Sequence, residues 1–334
     1  MKVQLHFLKL VYPPISNQEA EWVKNIPEVQ EVISRSNLYM IGQRHESKFI
    51  IDEHSVIPDF VNEFSANFTY SIGDDSTEVT IDFLTILELR EINLDETDLE
   101  FEFGEKLIRI WSCKRGSEEK IAVIDWFTTE KILFDAWRGH PAIKGFSNLR
   151  KFTRYYLHYV GMSKKEDSLS RLVIKPHDKR LRILSNESSY TYSSRITDEI
   201  ILFFFRVEPW SIHILNSDTD ITECRKNATI EHNKIIADAE KAFVYVLDSK
   251  YNAVKYLHYP KGKDGLYNSG LKRYSYTIAE DITFLTESES IAGCFAPQGY
   301  IADKSDLIQI EGDDVFFYKL IDRAAPKNSW VRLF

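Results

Sequence analysis

Long apolar runs are missing from this chain of 334 residues. No stretch approaches the roughly 20 apolar residues that a helix needs to cross a bilayer, and the most apolar run, 200–205, has only the length of a strand. The N-terminus alternates between polar and apolar residues and lacks the basic and then apolar pattern of a signal peptide. These absences predict a cytoplasmic protein that does not enter a membrane.

Cysteine and glycine are also scarce. Cys113, Cys224 and Cys294 lie far apart and form no Cys-x-x-Cys pair, which argues against a disulfide framework and against a structural zinc site. The chain has 13 glycines and contains neither Gly-x-x-x-x-Gly-Lys nor Gly-x-Gly-x-x-Gly. Nucleotide-driven chemistry that depends on those phosphate-binding loops is therefore excluded.

The net charge of −9 is distributed unevenly. Between 144 and 182 only Glu166, Asp167 and Asp178 oppose a group of bases. These bases are Lys144, Arg150, Lys151, Arg154, Lys164, Lys165, Arg171, Lys175, Lys179, Arg180 and Arg182. A basic segment inside an acidic protein predicts a local phosphate-binding face; a solvated helix surface is the alternative. The segment 74–102 is acidic, with Arg90 as its one base.

Hydrophobic periodicity predicts a mostly β region over 1–137. Within it, 79–92, 99–111 and 131–137 are expected to be extended, and Gly116 and Ser117 are expected to form a hairpin turn. One helix is predicted over 17–34, and Pro27 is expected to split or kink it.

The middle of the chain has a different pattern. It predicts a strand over 155–162, a basic helix over 168–184, an apolar strand over 199–207 and a long helix over 228–247. Short strands and polar turns return after 256. Three consecutive domains are therefore predicted, at 1–137, 138–256 and 257–334.

Four short motifs follow one another in the middle segment. Tyr159-Val160-Gly161 ends the predicted strand, Arg171 lies on the basic helix, and Glu240 lies on the long helix, twelve positions before Asn252. This order resembles the restriction-enzyme-like branch of the GIY-YIG nuclease family, over roughly 143–256.

The resemblance implies an α+β fold, in which a small antiparallel sheet with flanking helices lies between β-rich N- and C-terminal regions. It implies that Glu240 binds one Mg²⁺, or Mn²⁺ in its place, and that Arg171 binds the phosphate through a bidentate fork. Tyr159 would position or deprotonate the attacking water, Asn252 would hold the geometry of the site, and His177 would be a second proton-transfer group.

Two assignments stay open. The first motif of the family, Gly-Ile-Tyr, is absent as written; Gly145-Phe146 lies at a suitable distance but lacks the tyrosine, and Tyr155 and Tyr156 lie close to Tyr159. Glu231 is a competing metal carboxylate. Glu240 is preferred because an asparagine follows it at the distance typical of the family.

The predicted function is a metal-dependent endonuclease that hydrolyses phosphodiester bonds in DNA, with RNA as the less favoured substrate, in restriction or anti-phage defence. The residues predicted to bind nucleic acid are Lys164, Lys165, Lys175, Lys179 and Arg180. The β-rich flanks are expected to select the substrate, a partner protein or a homo-oligomer. The alternatives are a non-catalytic nucleic-acid-binding or assembly protein that keeps a degenerate module, and a toxin or effector that is held inactive by a partner or by its own acidic segment 74–102, which would occupy the basic segment in place of DNA.

Overall fold

A computed structural model describes residues 2–52, 56–59, 63–163, 167–175, 177–213, 230–296, 304–319 and 331–332. Its strands are β1 (Lys2–Leu10), β2 (Ile15–Ser16), β3 (Leu38–Gln43), β4 (Ser47–Ile50), β5 (Val56–Asp59), β6 (Glu63–Ile72), β7 (Asp75–Asp82), β8 (Thr97–Phe103), β9 (Leu107–Lys114), β10 (Lys120–Thr128), β11 (Ile143–Lys144), β12 (Arg154–Met162), β13 (Ile200–His213), β14 (Arg273–Ile278), β15 (Thr283–Leu285), β16 (Ser290–Ala292), β17 (Leu307–Glu311), β18 (Asp314–Tyr318) and β19 (Val331–Arg332).

Among the described residues the helices are fewer than the strands. They are α1 (Asn17–Val23), α2 (Pro27–Ile33), α3 (Phe83–Leu89), α4 (Thr129–Trp137), α5 (Asp178–Asn186), α6 (Ile196–Glu199) and α7 (His232–Leu247), with a 3₁₀ helix at Leu149–Lys151 and a π-helix at Ser170–Ile174. Among the described residues, no helix is long and apolar enough to cross a membrane.

Two compact units share the chain. The first comprises 1–44, 154–188 and 196–334, and the second comprises 45–153 and 189–195. The three consecutive domains predicted from the sequence are not coextensive with these units, because the first unit draws on residues from all three predicted segments.

The first unit is built on an 11-stranded sheet in the order β16-β15-β12-β3-β13-β1-β14-β17-β18-β19, with β2 paired to β13. β3 lies between β12 and β13 and is antiparallel to both. Every residue of β3 is buried, as is the apolar run at the start of β13. A strand that is apolar on both faces favours such a central position.

The long helix α7 packs against β12, β13 and β17. Its buried residues include Ile235, Ile236, Ala239, Ala242 and Phe243, which recur at the spacing of one helical face. The helix ends at Asp248, whose left-handed conformation (φ 47°) turns the chain back toward β12.

The second unit contains two smaller sheets. One has the order β11-β7-β6-β4 with β5 paired to β6, and the other has the order β10-β9-β8. Buried aromatic side chains fill its core, including Phe49, Phe64, Tyr70, Phe83 and Phe127.

The predicted fold class is wrong. The chain is mostly β, with 38% of its residues in strands and 25% in helices, and the described strands β12 and β13 of its middle segment belong to the large sheet of the first unit. β12 and β13 are joined through β3, and β13 continues along β1 from Lys2↔His213 to Leu10↔Phe205. Strand pairing over such distances in sequence leaves no mark in local periodicity, which is why the sheet was misassigned.

Three local predictions also need correction. The predicted basic helix is interrupted, because Lys175 precedes a proline and is extended (ψ 152°) between the π-helix and α5. The predicted strand at 131–137 is α4, whose first turn is capped by Thr128. The predicted strand at 79–92 changes into α3 after Asp82, which caps that helix. The predicted split at Pro27 is confirmed: α1 ends at Val23, and Pro27 begins α2.

Candidate active site

Two tyrosines face each other across β3 and β12. Gly161 lies opposite Tyr39 in the antiparallel register, and the Tyr39 and Tyr159 ring centroids are 6.2 Å apart. A Cβ atom at position 161 would lie 2.6 Å from the Tyr159 ring and 2.7 Å from the Tyr39 ring. The glycine of the Tyr-Val-Gly motif is therefore the residue that lets the two rings approach.

His177 contacts both tyrosine rings, with centroids 5.7 Å from each. It is the N-cap of α5, where its Nδ1 accepts a hydrogen bond from the Arg180 backbone N–H at 3.2 Å. A neutral ring that accepts at Nδ1 carries its proton on Nε2, so Nε2 donates to the Tyr39 hydroxyl at 3.0 Å. Burial, with the charges of Arg171 and Arg180, lowers the pKa of His177 to about 4, and the ring is therefore neutral at pH 7.

Arg171 donates from Nε to the same Tyr39 hydroxyl at 3.2 Å. Arg171 lies in the π-helix that begins at Ser170. The carboxylate of Asp167 accepts hydrogen bonds from the backbone N–H and the hydroxyl of Ser170. Arg171 is exposed whereas Tyr39 is fully buried. The Tyr39 oxygen thus accepts two N–H groups, so its own proton is directed to another acceptor. Burial raises the pKa of Tyr39 and the Arg171 contact opposes this rise.

Glu240 lies on α7 and is buried, with 8% of its surface exposed. Its charge contributes to raising the pKa values of Tyr39 and Tyr159, although burial is the larger cause for both. The carboxylate of Glu240 therefore acts on the two tyrosines through its charge.

Tyr256 is a further contact of Glu240. Its hydroxyl donates to Glu240 Oε2 at 3.4 Å, and burial together with this carboxylate raises the pKa of Tyr256 to about 12. The residue has φ +51°, a conformation that is strained for a bulky side chain and that clusters at functional sites.

Asn252 ties the segment after α7 to the backbone of β12 at Val160, which is fully buried. Its Nδ2 donates to the Val160 carbonyl at 2.8 Å, and its Oδ1 accepts from the Val160 N–H at 2.9 Å. Ser249 donates to the same Oδ1 at 2.7 Å. The side-chain amide of Asn252 thus bonds the N–H and the carbonyl of Val160 in the way that the backbone of a neighbouring strand would. Val160 lies between Tyr159 and Gly161.

The predicted nucleic-acid-binding residues do not form one set. Lys175 is exposed and Lys179 is half-buried, whereas Lys164 and Lys165 lie outside the described residues. Arg180 is buried, and its guanidinium donates to Asn17, Glu21 and the carbonyls of the π-helix. Arg180 therefore holds the protein together around α1 and α5 instead of presenting a charge to a ligand.

The competing carboxylate, Glu231, lies apart from this cluster. It is the residue before α7, its side chain is 73% exposed, and its ion-pair partner is Lys234. Among the described residues, no group of three or more His, Cys, Asp or Glu side chains is arranged to hold a metal ion. Mg²⁺ needs fewer: it keeps several waters and binds through one or two carboxylates together with substrate phosphates. The buried carboxylate of Glu240 is compatible with that donor set.

Two residues of the cluster were missed in the sequence. Tyr39 is separated from Tyr159 by the second unit, 45–153, so their motifs are not adjacent in the chain. The available signal was the apolar run Leu38-Tyr39-Met40-Ile41-Gly42, a strand-like segment with a tyrosine and a glycine. Tyr256 had no signal, because its importance depends on the turn that follows α7.

Comparison of the chain with protein-family models, curated proteins and solved structures found no match.

Proposed function

We propose that this protein is a metal-dependent endonuclease that hydrolyses phosphodiester bonds in DNA. The observation that supports it is the convergence on the Tyr39 hydroxyl of side chains from separate elements. Arg171 and His177 donate to it, Tyr159 lies beside it, and the charge of Glu240 acts on it. The resemblance of Tyr159, Arg171 and Glu240 to the GIY-YIG motifs points to the same chemistry, and Tyr39 supplies the second tyrosine.

The Arg171 guanidinium fits the role of phosphate ligand. Its Nε is held by the Tyr39 hydroxyl, so the planar group is oriented before substrate arrives. It lies on the exposed side of the cluster, where a negatively charged strand can reach it. A guanidinium offers two parallel N–H groups to phosphate oxygens, which an ammonium cannot do.

The two tyrosines fit the positioning of water and phosphate oxygens better than the role of a base. Burial raises the pKa of Tyr39 and of Tyr159, so both hydroxyls keep their protons at neutral pH. Tyr39 accepts from Arg171 and His177 and is hydrogen-bonded to Tyr159, so the two hydroxyls form one oriented pair that a water or a phosphate oxygen could join.

His177 fits a positioning role and not the proton transfer expected from the sequence. Its Nδ1 is occupied by the Arg180 N–H, and its Nε2 proton is directed to Tyr39. It therefore holds the Tyr39 hydroxyl in place.

Glu240 is the residue that would hold Mg²⁺ or Mn²⁺. When bound, such an ion neutralises charge on the phosphoryl oxygens and assists the leaving oxygen. Tyr256, which donates to Glu240, orients the carboxylate. A DNA-cleaving activity of this kind fits restriction or anti-phage defence.

The test is cleavage of supercoiled plasmid by the full chain with Mg²⁺, compared with EDTA. Glu240→Gln should abolish cleavage and leave DNA binding intact or stronger, because a negative charge near phosphate is removed. Glu231→Gln is the matched control, since it makes the same change at the exposed residue that immediately precedes the same helix, and it should cleave normally. Arg171→Lys should lower turnover far more than DNA affinity, because the charge is kept and the fork is lost.

The outcomes separate three readings. Activity that survives Glu240→Gln and fails in Glu231→Gln would move the metal ligand to Glu231. Activity that survives both changes would exclude the proposed site. DNA binding without cleavage, unchanged by Arg171→Ala combined with Glu240→Ala and independent of metal, would favour a non-catalytic binding protein.

A further inference from the structure

A cavity of about 610 Å³ lies in the first unit beside the candidate active site. Met162, which directly follows Gly161, and Lys241, which directly follows Glu240, both line it. Tyr256 lines it as well and donates its hydroxyl to Glu240. The cavity is thus continuous with the segments that carry the active-site residues, and its volume lies in the range of roughly 300–1,000 Å³ that is typical of small-molecule sites.

Three lysines line the cavity of this acidic protein. Lys241, Lys255 and Lys261 contribute three positive charges against the single carboxylate of Asp264. Each lysine has an acidic partner: Lys241 pairs with Asp264, Lys255 with Asp248 at 2.8 Å, and Lys261 with Asp313 at 2.8 Å.

The Lys261–Asp313 ion pair, unlike the pair that the largely buried Lys241 makes with Asp264, can be exchanged for a phosphate at little cost. In the Lys261–Asp313 pair both side chains are 58% exposed, and exposed pairs of this kind contribute only about 0–1 kcal/mol. A phosphate offers a lysine more acceptor oxygens and more charge than an aspartate does.

The rest of the lining is apolar or aromatic. Leu257 and Val254 are 80% and 61% exposed, and both line the cavity with Met162 and Tyr256. Exposed apolar side chains at a concave site that also carries lysines are suited to a ligand that has a flat apolar part beside an anionic one.

We propose that this cavity binds a nucleotide, its base against Leu257, Val254 and Tyr256 and its phosphate on Lys241, Lys255 and Lys261. The assignment of that nucleotide to the strand being cleaved, next to the scissile phosphate, rests on the proposed function. Contacts outside the reacting centre would then position the strand, so that binding energy from the neighbouring nucleotide holds the scissile phosphate in the reactive geometry.

The test measures binding in EDTA, so that cleavage does not enter the result. A fluorescein-labelled oligothymidylate of about 12 nucleotides, within the site sizes of single-strand grooves, is titrated with the full chain and followed by anisotropy. Thymidine 5′-monophosphate and inorganic phosphate are then added as competitors.

Lys261→Glu and Leu257→Asp are the variants, and Lys263→Glu is the matched control. Lys263 is exposed, lies two positions from Lys261 and does not line the cavity. Loss of a charged contact corresponds to about tenfold in affinity. Lys261→Glu loses such a contact, and Leu257→Asp loses an apolar one. Each should weaken binding about tenfold, whereas Lys263→Glu should weaken it less than about twofold. Thermal unfolding should show the three variants to be folded, because all three positions are exposed.

Equal losses in Lys261→Glu and Lys263→Glu would overturn the proposal, since they would reflect general electrostatics. Competition by inorganic phosphate as strong as that by thymidine 5′-monophosphate would also overturn it, because the base would make no contribution. Oligothymidylate binding that is unchanged in both Lys261→Glu and Leu257→Asp would refute the cavity as a subsite for the strand. The two proposals can also fail separately. If oligonucleotide binding is lost only in the cavity variants and the wild type cleaves no plasmid, the result would support the cavity and reject the nuclease.

Discussion

Replacing Gly161 by alanine perturbs the candidate site through one methyl group. The added Cβ would lie 2.6 Å from Tyr159 Cε1 and 2.7 Å from both Tyr39 Cε2 and Cζ. Ordinary contacts begin at 3.4 Å, so the rings would have to withdraw by roughly 0.7–0.8 Å, an overpacking that costs about 1–3 kcal/mol of unfolding free energy.

The withdrawal should lower activity more than stability. The Tyr39 hydroxyl is held by Arg171 and His177, so displacement of the ring changes the direction of that hydroxyl. A misplacement of about 1 Å at a reacting group can reduce the rate about 100-fold. We expect the rate of plasmid cleavage by Gly161→Ala to fall by about that factor.

The assay pairs urea unfolding with the initial rate of Mg²⁺-dependent plasmid nicking. Gly104→Ala is the control: it lies in the second unit, and its added Cβ would meet a single backbone oxygen at 3.3 Å. It should cleave at the wild-type rate. Wild-type cleavage and stability in Gly161→Ala would refute the close approach of the two tyrosines as a requirement of the site.

Two further predictions concern stability. The pKa of His177 is about 4 in the folded chain against an ordinary 6.5, so its contribution to stability is present above pH 6.5 and lost as pH falls toward 4. In His177→Asn, the decrease in unfolding free energy between pH 6.5 and pH 4 should be about 3 kcal/mol smaller than in the wild type. The exposed His258→Asn is the control. The same decrease in His177→Asn as in the wild type would contradict this prediction. Asn252→Ala leaves the Val160 N–H and carbonyl without the Asn252 side-chain partners and should cost about 1–3 kcal/mol in urea unfolding. The exposed Asn93→Ala is its control, and equal losses would contradict the bridging role.

Local patterns in the sequence predicted the helices whose position is decided by residue spacing or by a proline. The spacing of Ile235, Ala239 and Phe243 indicated α7, and Pro27 indicated the break between α1 and α2. The break at Lys175 is also local in origin. A residue before proline avoids the helical region, and the predicted basic helix is interrupted there.

The sheet and part of the site could not be predicted because they depend on pairing between distant segments. Tyr39 reaches Tyr159 only because β3 pairs with β12, and the second unit intervenes in the chain. Arg180 was assigned to a nucleic-acid face from its charge, yet its contacts with Asn17 and Glu21 require the fold of α1 to be known. Charge patterns report composition, whereas burial decides which charges a ligand can reach.

The most direct test of the proposed site is the initial rate at which Tyr39→Phe nicks supercoiled plasmid in the presence of Mg²⁺. The change removes only the hydroxyl that receives Arg171 and His177. A rate about 100-fold or more below wild type is expected, because a preorganised hydrogen-bond donor is lost. Tyr192→Phe, at a position that is 97% exposed, should leave the rate unchanged. Cleavage by Tyr39→Phe at the wild-type rate would contradict the assignment of this cluster as the active site.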